Sequence, residues 1–164
     1  MSFTKRIFIV LFVLLACVGC DQSTKALAEA RLPRTQPLSL LADSVRLQTV
    51  HNPGAFLGLG TTASKAWRLV ALRFGVAAFL LGLLAYTLFA SVAARSTILA
   101  LALVFAGGLS NLIDRFINDG GVVDFLNIGI GTVRTGIFNV ADVAITVGVL
   151  VLLAQGWRGR HRSA

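Results

Sequence analysis

The chain has 164 residues, of which 56% are hydrophobic and 13% are charged, and its mean hydropathy is +0.82. Soluble domains carry about a quarter charged residues, so this composition excludes an ordinary soluble protein and indicates an integral membrane protein. The net charge of +8 does not indicate nucleic-acid binding, because the basic residues are scattered over loops and span ends and form no basic face. Anchoring in anionic lipid headgroups explains them better.

The first predicted span, residues 7–25, follows Lys5 and Arg6. The stretch Leu14-Leu-Ala-Cys17 resembles a lipobox, so a cleaved lipoprotein signal peptide is an alternative. Three more apolar runs follow instead of a soluble passenger, which favours a retained span. The helical pattern continues after the span, and the helix is expected to end at Pro33.

Three further spans are predicted over residues 69–92, 97–115 and 137–156. Between the first two spans, the rough alternation of Val45–Val50 indicates a strand. Between the last two, short apolar alternation around Ile128 and Ile130 suggests a hairpin. Arg73, at the start of the second span, is expected to extend toward the headgroups.

Topology brings the polar residues of the chain to one membrane surface. Because four spans alternate in direction, the end of the first, the end of the third and the start of the fourth all meet the same surface. The side chains at those places are Asp21, Asn111, Asp114, Arg115, Asn139 and Asp142, and the loops that carry Asn52 and Asp124 emerge there too. A carboxylate at membrane depth costs several kcal/mol, so this cluster is the predicted functional site.

The distribution of basic residues predicts the orientation. Lys5, Arg6 and the tail 158–162 lie on the surface opposite the carboxylates. The positive-inside rule then places both termini in the cytoplasm and the carboxylates near the extracytoplasmic surface. The long first loop is also basic, but long loops obey the rule poorly.

Two carboxylates in a low-dielectric site tend to share one proton, because both cannot ionise cheaply. The ionised partner can take a proton from water while the protonated one donates to a carbonyl oxygen, which suffices to hydrolyse a peptide bond. His51 and His161 lie far apart, so no metal or other cofactor is expected. A transporter or proton-conducting protein is the alternative, although acids gathered at one surface disfavour conduction. The residues alone do not say which two acids form the pair.

Five motifs, in order along the chain, carry a resemblance to a known family. They are Asp21-Gln-x-x-Lys25, Asn52-x-Gly54-Ala55, Asn111-x-x-Asp114-Arg115, Val122-Val-Asp124-Phe125 and Phe138-Asn139-x-Ala141-Asp142. In order, spacing and number of spans the chain resembles the bacterial lipoprotein signal peptidases (type II). The resemblance implies an aspartic endopeptidase of the bacterial inner membrane that cuts diacylglyceryl-modified prolipoproteins before the lipidated cysteine.

Residue by residue, the resemblance places the catalytic dyad on Asp124 and Asp142 and gives Asp114 a supporting role. The other positions that it marks as substrate-binding or supporting are Asp21, Lys25, Asn52, Gly54, Asn111, Arg115, Asn139 and Ala141. Two departures from the family pattern stand out. Phe56 follows a single Ala55, and Ser110 stands where glycine is usual.

The fold that the resemblance implies is a single all-α membrane domain over residues 1–164, with four transmembrane helices. A small extracytoplasmic β-cradle from residues 35–62 and 117–136 and a short periplasmic helix are expected to accompany the bundle. The implied partners are diacylated prolipoproteins, membrane phospholipids and, by analogy, globomycin-type inhibitors. A monomer is expected.

Overall fold

The computed structural model describes residues 1–54, 64–91 and 94–161. The helices are α1 (Phe3–Arg31), α2 (Lys65–Leu69), α3 (Val76–Phe89), α4 (Arg95–Ile117) and α5 (Val140–His161), and a π-helical segment, Val70–Gly75, joins α2 to α3. The strands are β1 (Leu38–Leu40), β2 (Val45–Asn52), β3 (Val122–Ile130) and β4 (Val133–Arg134). The departure from the family pattern at Ala55 and Phe56 lies outside the described residues.

Four helical stretches are long and apolar enough to cross a membrane. They are Phe3–Arg31, Val70–Phe89, Arg95–Ile117 and Val140–Arg158. Together with a small antiparallel sheet, they confirm the predicted fold class. The boundaries differ from those predicted by up to six residues, because a helix can continue past the apolar core of its span.

Helix α1 shows this extension most clearly. It runs unbroken through Cys17 and Lys25 to Arg31, and Leu32 then donates its backbone N–H to the carbonyl oxygen of Ala28. The lipobox-like stretch and the polar residues after it therefore belong to one helix.

Helix α4 is the central element of the bundle: 56% of its most apolar stretch is buried, against 22% or less in the other three spans. Small residues allow α5 to approach it closely. A Cβ added to Gly107 would lie 2.5 Å from the carbonyl oxygen of Ala141, and one added to Gly148 would lie 2.6 Å from that of Ala100. This close contact brings the start of α5 against the outer half of α4.

The apolar core lies between α1, α3 and α4. Its buried members are Val10, Leu80, Ala102, Phe105 and Leu112. At the end of the bundle that contains the N-terminus, Arg6 donates hydrogen bonds to the carbonyl oxygens of Thr87, Leu88 and Ala90. A cation at the C-terminus of α3 is stabilising, because it satisfies terminal carbonyls and opposes the helix dipole.

The four strands form one antiparallel sheet in the order β1-β2-β3-β4. Strands β3 and β4 form a hairpin at the place where the sequence suggests one, and Gly131 in its turn has a φ of +56°. The pairing of β2 with β3 is irregular between Leu47 and Val50, and beyond the irregularity Val50 pairs with Asp124. Thr49 ties the sheet to α1 by donating to the carbonyl oxygen of Ala28 at 2.9 Å.

Candidate active site

A buried lysine joins two of the predicted site acids. The ammonium of Lys25 lies 2.6 Å from Asp21 Oδ2 and 2.9 Å from Asp114 Oδ2, and it donates to Asn111 Oδ1 at 2.9 Å. The side chains of all three ionic partners are 3% exposed or less. The three donors of the ammonium are thereby satisfied, and two carboxylates share one cation.

Asp21 also connects α1 to the other two helices of the site. Its Oδ2 accepts a hydrogen bond from the Ser110 hydroxyl at 2.7 Å, and its Oδ1 accepts one from the backbone N–H of Ala141 at 2.8 Å. The N–H of Ala141 lies in the first turn of α5, where backbone donors have no partner within the helix. An anion there is also favoured by the helix dipole.

Asp114 fixes the start of β3. Its Oδ2 accepts from the backbone N–H of Val123 at 3.0 Å, and its Oδ1 accepts from Gln22 Nε2 at 2.8 Å. The residue after Val123 is Asp124, so Asp114 determines where the neighbouring acid lies.

Asp142 is held by the N-terminus of its own helix. Asn139 Oδ1 accepts from the backbone N–H of Asp142 at 2.9 Å, and Asp142 Oδ2 accepts from the backbone N–H of Asn139 at 3.3 Å. This reciprocal pair is a capping box in which aspartate takes the usual place of glutamate or glutamine. Asn111 Nδ2 donates to the other oxygen, Oδ1, at 2.9 Å.

Asp124 is bound by two amides. Asn139 Nδ2 donates to its Oδ1 at 2.7 Å, and Asn52 Nδ2 donates to its Oδ2 at 2.9 Å. The pKa of Asp124 is raised to about 6: burial is the largest cause and the negative charge of Asp142 adds to it, whereas the hydrogen bonds from Asn52 and Asn139 limit the rise. One residue, Asn139, therefore contacts both carboxylates: its side-chain amide donates to Asp124 and its backbone N–H donates to Asp142.

Arg115 supports this pocket through backbone atoms. Its Nη1 donates to the carbonyl oxygen of Asn111 at 3.3 Å, and its Nη2 donates to that of Gly54 at 3.2 Å. The N–H of Gly54 in turn donates to Asn52 Oδ1 at 2.9 Å. Arg115 thus fixes the turn that presents the Asn52 amide to Asp124.

The structure brings all the site residues predicted from the sequence into one network. They are Asp21, Lys25, Asn52, Gly54, Asn111, Asp114, Arg115, Asp124, Asn139, Ala141 and Asp142. Gly54 and Ala141 take part through backbone atoms.

Two members of the network were not predicted, Gln22 and Ser110. The Ser110 hydroxyl bonds to Asp21, and Gln22 Nε2 donates to that hydroxyl at 3.1 Å. Ser110 lies four residues before Asp114 on the same helix face, which is the signal that could have included it.

The two carboxylates bound by amides differ from the two bound by lysine in one further respect. Within residues 1–54, 64–91 and 94–161, no Lys, Arg or His nitrogen lies within 4.0 Å of Asp124 or Asp142.

No group of three His, Cys, Asp or Glu side chains in the same ranges could hold a metal ion. His51 lies in β2, and its Nε2 is 2.9 Å from Glu29 Oε1.

The fold and this site define an integral membrane protein with a buried pair of uncompensated carboxylates at one end of a four-span bundle. The model of the signal peptidase (SPase) II family matches residues 13–158. The chain therefore belongs to the signal peptidase II family of membrane proteases, as its motifs predict.

Curated relatives agree over most of the chain. The lipoprotein signal peptidase of Desulforapulum autotrophicum is 36% identical over 138 residues, 83% of each chain. That of Bifidobacterium longum is 35% identical over 153 residues, which cover 90% of this chain and 78% of the relative. That of Streptomyces griseus is 28% identical over 160 residues, 94% of this chain and 76% of the relative.

Two solved structures of bacterial membrane enzymes share the fold. The first superposes with a TM-score of 0.79 at 24% identity and covers 98% of this chain and 92% of its own. The second gives 0.71 at 25% identity, with 93% and 92% covered.

Proposed function

We propose that this protein removes signal peptides from diacylglyceryl-modified prolipoproteins, and that Asp124 and Asp142 are its catalytic dyad. The observation that carries the assignment is the environment of these two acids. Both are buried, both are hydrogen-bonded to the Asn139 residue, and neither has a cation in contact among the described residues. Family membership supports the substrate class.

The dyad works with one proton between its two carboxyl groups. Asp142, ionised and oriented by Asn111 and the Asn139 N–H, takes a proton from a water molecule as that water attacks the scissile carbonyl carbon. Asp124 carries the other proton and donates it to the carbonyl oxygen, giving a neutral gem-diol. Asp142 then gives its proton to the leaving nitrogen as the C–N bond breaks, and Asp124 takes a proton from a gem-diol hydroxyl, which restores the starting state of the dyad.

The lipid on the substrate explains why the site lies at the ends of spans. Two acyl chains hold the modified cysteine in the bilayer, with about 0.8 kcal/mol per buried CH₂ contributing to its anchoring. The peptide bond before that cysteine is therefore held near the headgroups, at the depth of β3, which carries Asp124, and of the start of α5, which carries Asp142. Positioning of this kind lowers the entropy cost of the reaction.

The same arrangement fixes the proposed orientation. The dyad end of the bundle faces the outside of the bacterial inner membrane, and both termini lie in the cytoplasm. The single domain acts as a monomer without a cofactor. A globomycin-type cyclic peptide, by analogy with the family, inhibits it by occupying the pocket around Asn52, Arg115 and the dyad.

The test is cleavage by the purified protein in lipid nanodiscs. A diacylated prolipoprotein should release its signal peptide, and product masses should place the cut immediately before the lipidated cysteine. The same precursor without the lipid is the matched control and should be cut far more slowly. Proton or cation flux in liposomes without any cleavage would instead support the transporter alternative and refute the proposal.

A further inference from the structure

A cavity of about 220 Å³ lies beside the dyad pocket, between the π-helical segment and the end of α4. Its polar lining consists of Arg73, Arg115 and Asp119, and Leu69 and Leu72 supply apolar wall. Gly120 closes one side with a φ of +94°, and a Cβ there would lie 2.7 Å from Leu69 Cδ2. The cavity therefore combines two cations, one carboxylate and an apolar base.

Arg73 is held in a fixed position at the start of the second span. Its Nε donates to the carbonyl oxygen of Arg115 at 2.8 Å, and its guanidinium lies 5.5 Å from the centre of the Phe116 ring. Phe116 in turn packs edge-on against Phe74 at 6.5 Å. Single widened turns of this π-helical kind often occur at functional sites. Here the turn holds a guanidinium in place at the edge of the cavity.

Both guanidinium groups retain unused hydrogen-bond donors. Arg115 is 7% exposed, and its buried Nε has no hydrogen-bond partner among the described residues. The terminal nitrogens of Arg73 likewise form no hydrogen bond within residues 1–54, 64–91 and 94–161. Donors that line a cavity and find no acceptor among the described residues are available to an oxygen-bearing ligand, and the terminal nitrogens of Arg73 are such donors.

The position of the cavity indicates where that ligand comes from. Arg73 is the fourth residue of the second span, and Phe116 is the second-last residue of the third. Phe74, Phe116 and Ile117 are exposed beside the cavity, 64%, 53% and 67% respectively, and offer apolar surface to acyl chains. The cavity is therefore at headgroup depth, with hydrocarbon contact below it.

We propose that this cavity binds the phosphate of an anionic phospholipid, with Arg73 and Arg115 as its guanidinium partners. Planar guanidinium forks match phosphate oxygens in geometry and charge. The two arginines outnumber the carboxylate of Asp119, so an anionic headgroup is preferred over a zwitterionic one. Arg115 also holds the backbone of Asn111 and Gly54, which lets a bound lipid influence the dyad pocket.

Direct binding is the first arm of the test. Purified protein is titrated with phosphatidylglycerol or phosphatidylcholine, and retained lipid is measured by native mass spectrometry. Phosphatidylglycerol should bind more tightly, and Arg73→Gln should weaken it about tenfold, the effect of one charge-assisted contact. The matched control is Arg31→Gln, which removes one exposed cation at the end of α1 and should leave binding unchanged.

Three outcomes overturn the proposal. They are equal binding of the two lipids, equal weakening by Arg31→Gln and Arg73→Gln, and competition by free glycerol 3-phosphate as strong as by the lipid. The last outcome would assign the site to soluble phosphate. Arg73→Lys keeps the positive charge but lacks the planar guanidinium. If this variant retains more lipid than Arg73→Gln, the weaker binding of Arg73→Gln does not come from misfolding.

The influence on the dyad rests on the proposed function and is measured separately. Cleavage should be faster in phosphatidylglycerol nanodiscs than in phosphatidylcholine nanodiscs, and Arg73→Gln should bring the ratio of the two rates toward one. A ratio unchanged by Arg73→Gln refutes the influence. Absence of cleavage in every lipid would refute the proposed function while leaving the binding result intact.

Discussion

Four buried aspartates lie at one end of the bundle, and they fall into two pairs with opposite surroundings. Asp21 and Asp114 share the ammonium of Lys25, whereas Asp124 and Asp142 share the amide and backbone of Asn139. All four are 6% exposed or less. Burial therefore does not distinguish the pairs, but the charge of the neighbour does.

Under the proposed function, this difference separates a structural role for one pair from a chemical role for the other. A carboxylate paired with a buried cation is held as an anion and contributes to the fold. A buried carboxylate that receives only amide hydrogen bonds keeps its affinity for a proton, as the raised pKa of Asp124 illustrates. Sharing of a proton at ordinary pH is what acid–base catalysis requires.

Removal of either amide-bound acid should have the largest effect on turnover. Asp124→Asn and Asp142→Asn preserve side-chain volume but cannot exchange a proton, so cleavage per folded molecule should fall about 10³-fold or more. Rates are measured on diacylated precursor in nanodiscs, with the folded fraction determined by size-exclusion chromatography.

Asp114→Asn is the matched control for that experiment. It removes one partner of Lys25 and should lower the yield of folded protein, while each folded molecule keeps its cleavage rate within about tenfold. The division into two pairs is wrong if Asp114→Asn stops turnover and Asp124→Asn does not.

Removal of the shared cation should have the largest effect on stability. Lys25→Met leaves Asp21 and Asp114 buried without a counter-charge, which should lower the free energy of unfolding by about 3–5 kcal/mol. Lys5→Met, an exposed lysine on the same helix, should change it by about 0.5 kcal/mol or less. Thermal unfolding in detergent measures both, and similar melting temperatures for the two variants would contradict the structural role of the lysine.

The contact between α4 and α5 sets the position of Asp142 and should be sensitive to one methyl group. Gly107→Ala places a Cβ 2.5 Å from the carbonyl oxygen of Ala141 and 2.8 Å from Ile145 Cγ1. Overpacking should cost about 1–3 kcal/mol and slow cleavage by displacing the start of α5. Gly82→Ala meets nothing within 4 Å and should be neutral in both assays; equal effects would refute the packing argument.

The smallest expected effect is a shift of the pH profile. Loss of the last dyad proton should reduce cleavage as pH rises through about 6, the pKa of Asp124. Asn52 donates to the ionised form of Asp124 and lowers that pKa, so Asn52→Ala should move the midpoint upward by about one pH unit or less. Gln48→Ala, in the same strand but bonded to Arg34, should leave it in place. A midpoint that moves downward would contradict the assignment.

The fold was largely predictable because the bilayer restricts the choices. Backbone N–H and C=O groups in the hydrocarbon must form their hydrogen bonds within each segment, so long apolar runs become helices. The order of these helices along the chain then fixes which helix ends meet at the same membrane surface. The hairpin at Ile128 and Ile130 also followed from alternation. The irregular pairing between Leu47 and Val50 did not, because strand register depends on contacts that the local pattern does not encode.

The gathering of the site residues was predictable, but the division of labour among the acids was not. Asp114 and Asp124 lie ten residues apart, and nothing local distinguishes them. Lys25, which distinguishes them in the structure, is far away in sequence. Family motifs selected Asp124, and the structure supplies a physical reason for that choice. Gln22 and Ser110 were missed because an amide and a hydroxyl are too common in helices to mark a site.

The proposed function requires the amide-bound pair to hold one proton, which is lost as pH rises through the pKa of Asp124, about 6. Infrared difference spectroscopy of the protonated carboxyl C=O stretch tests it directly during a pH titration. The account predicts a band that is lost with a midpoint near 6, is absent from Asp124→Asn, and persists in Asp114→Asn. A titrating band that disappears in Asp114→Asn and remains in Asp124→Asn would contradict it.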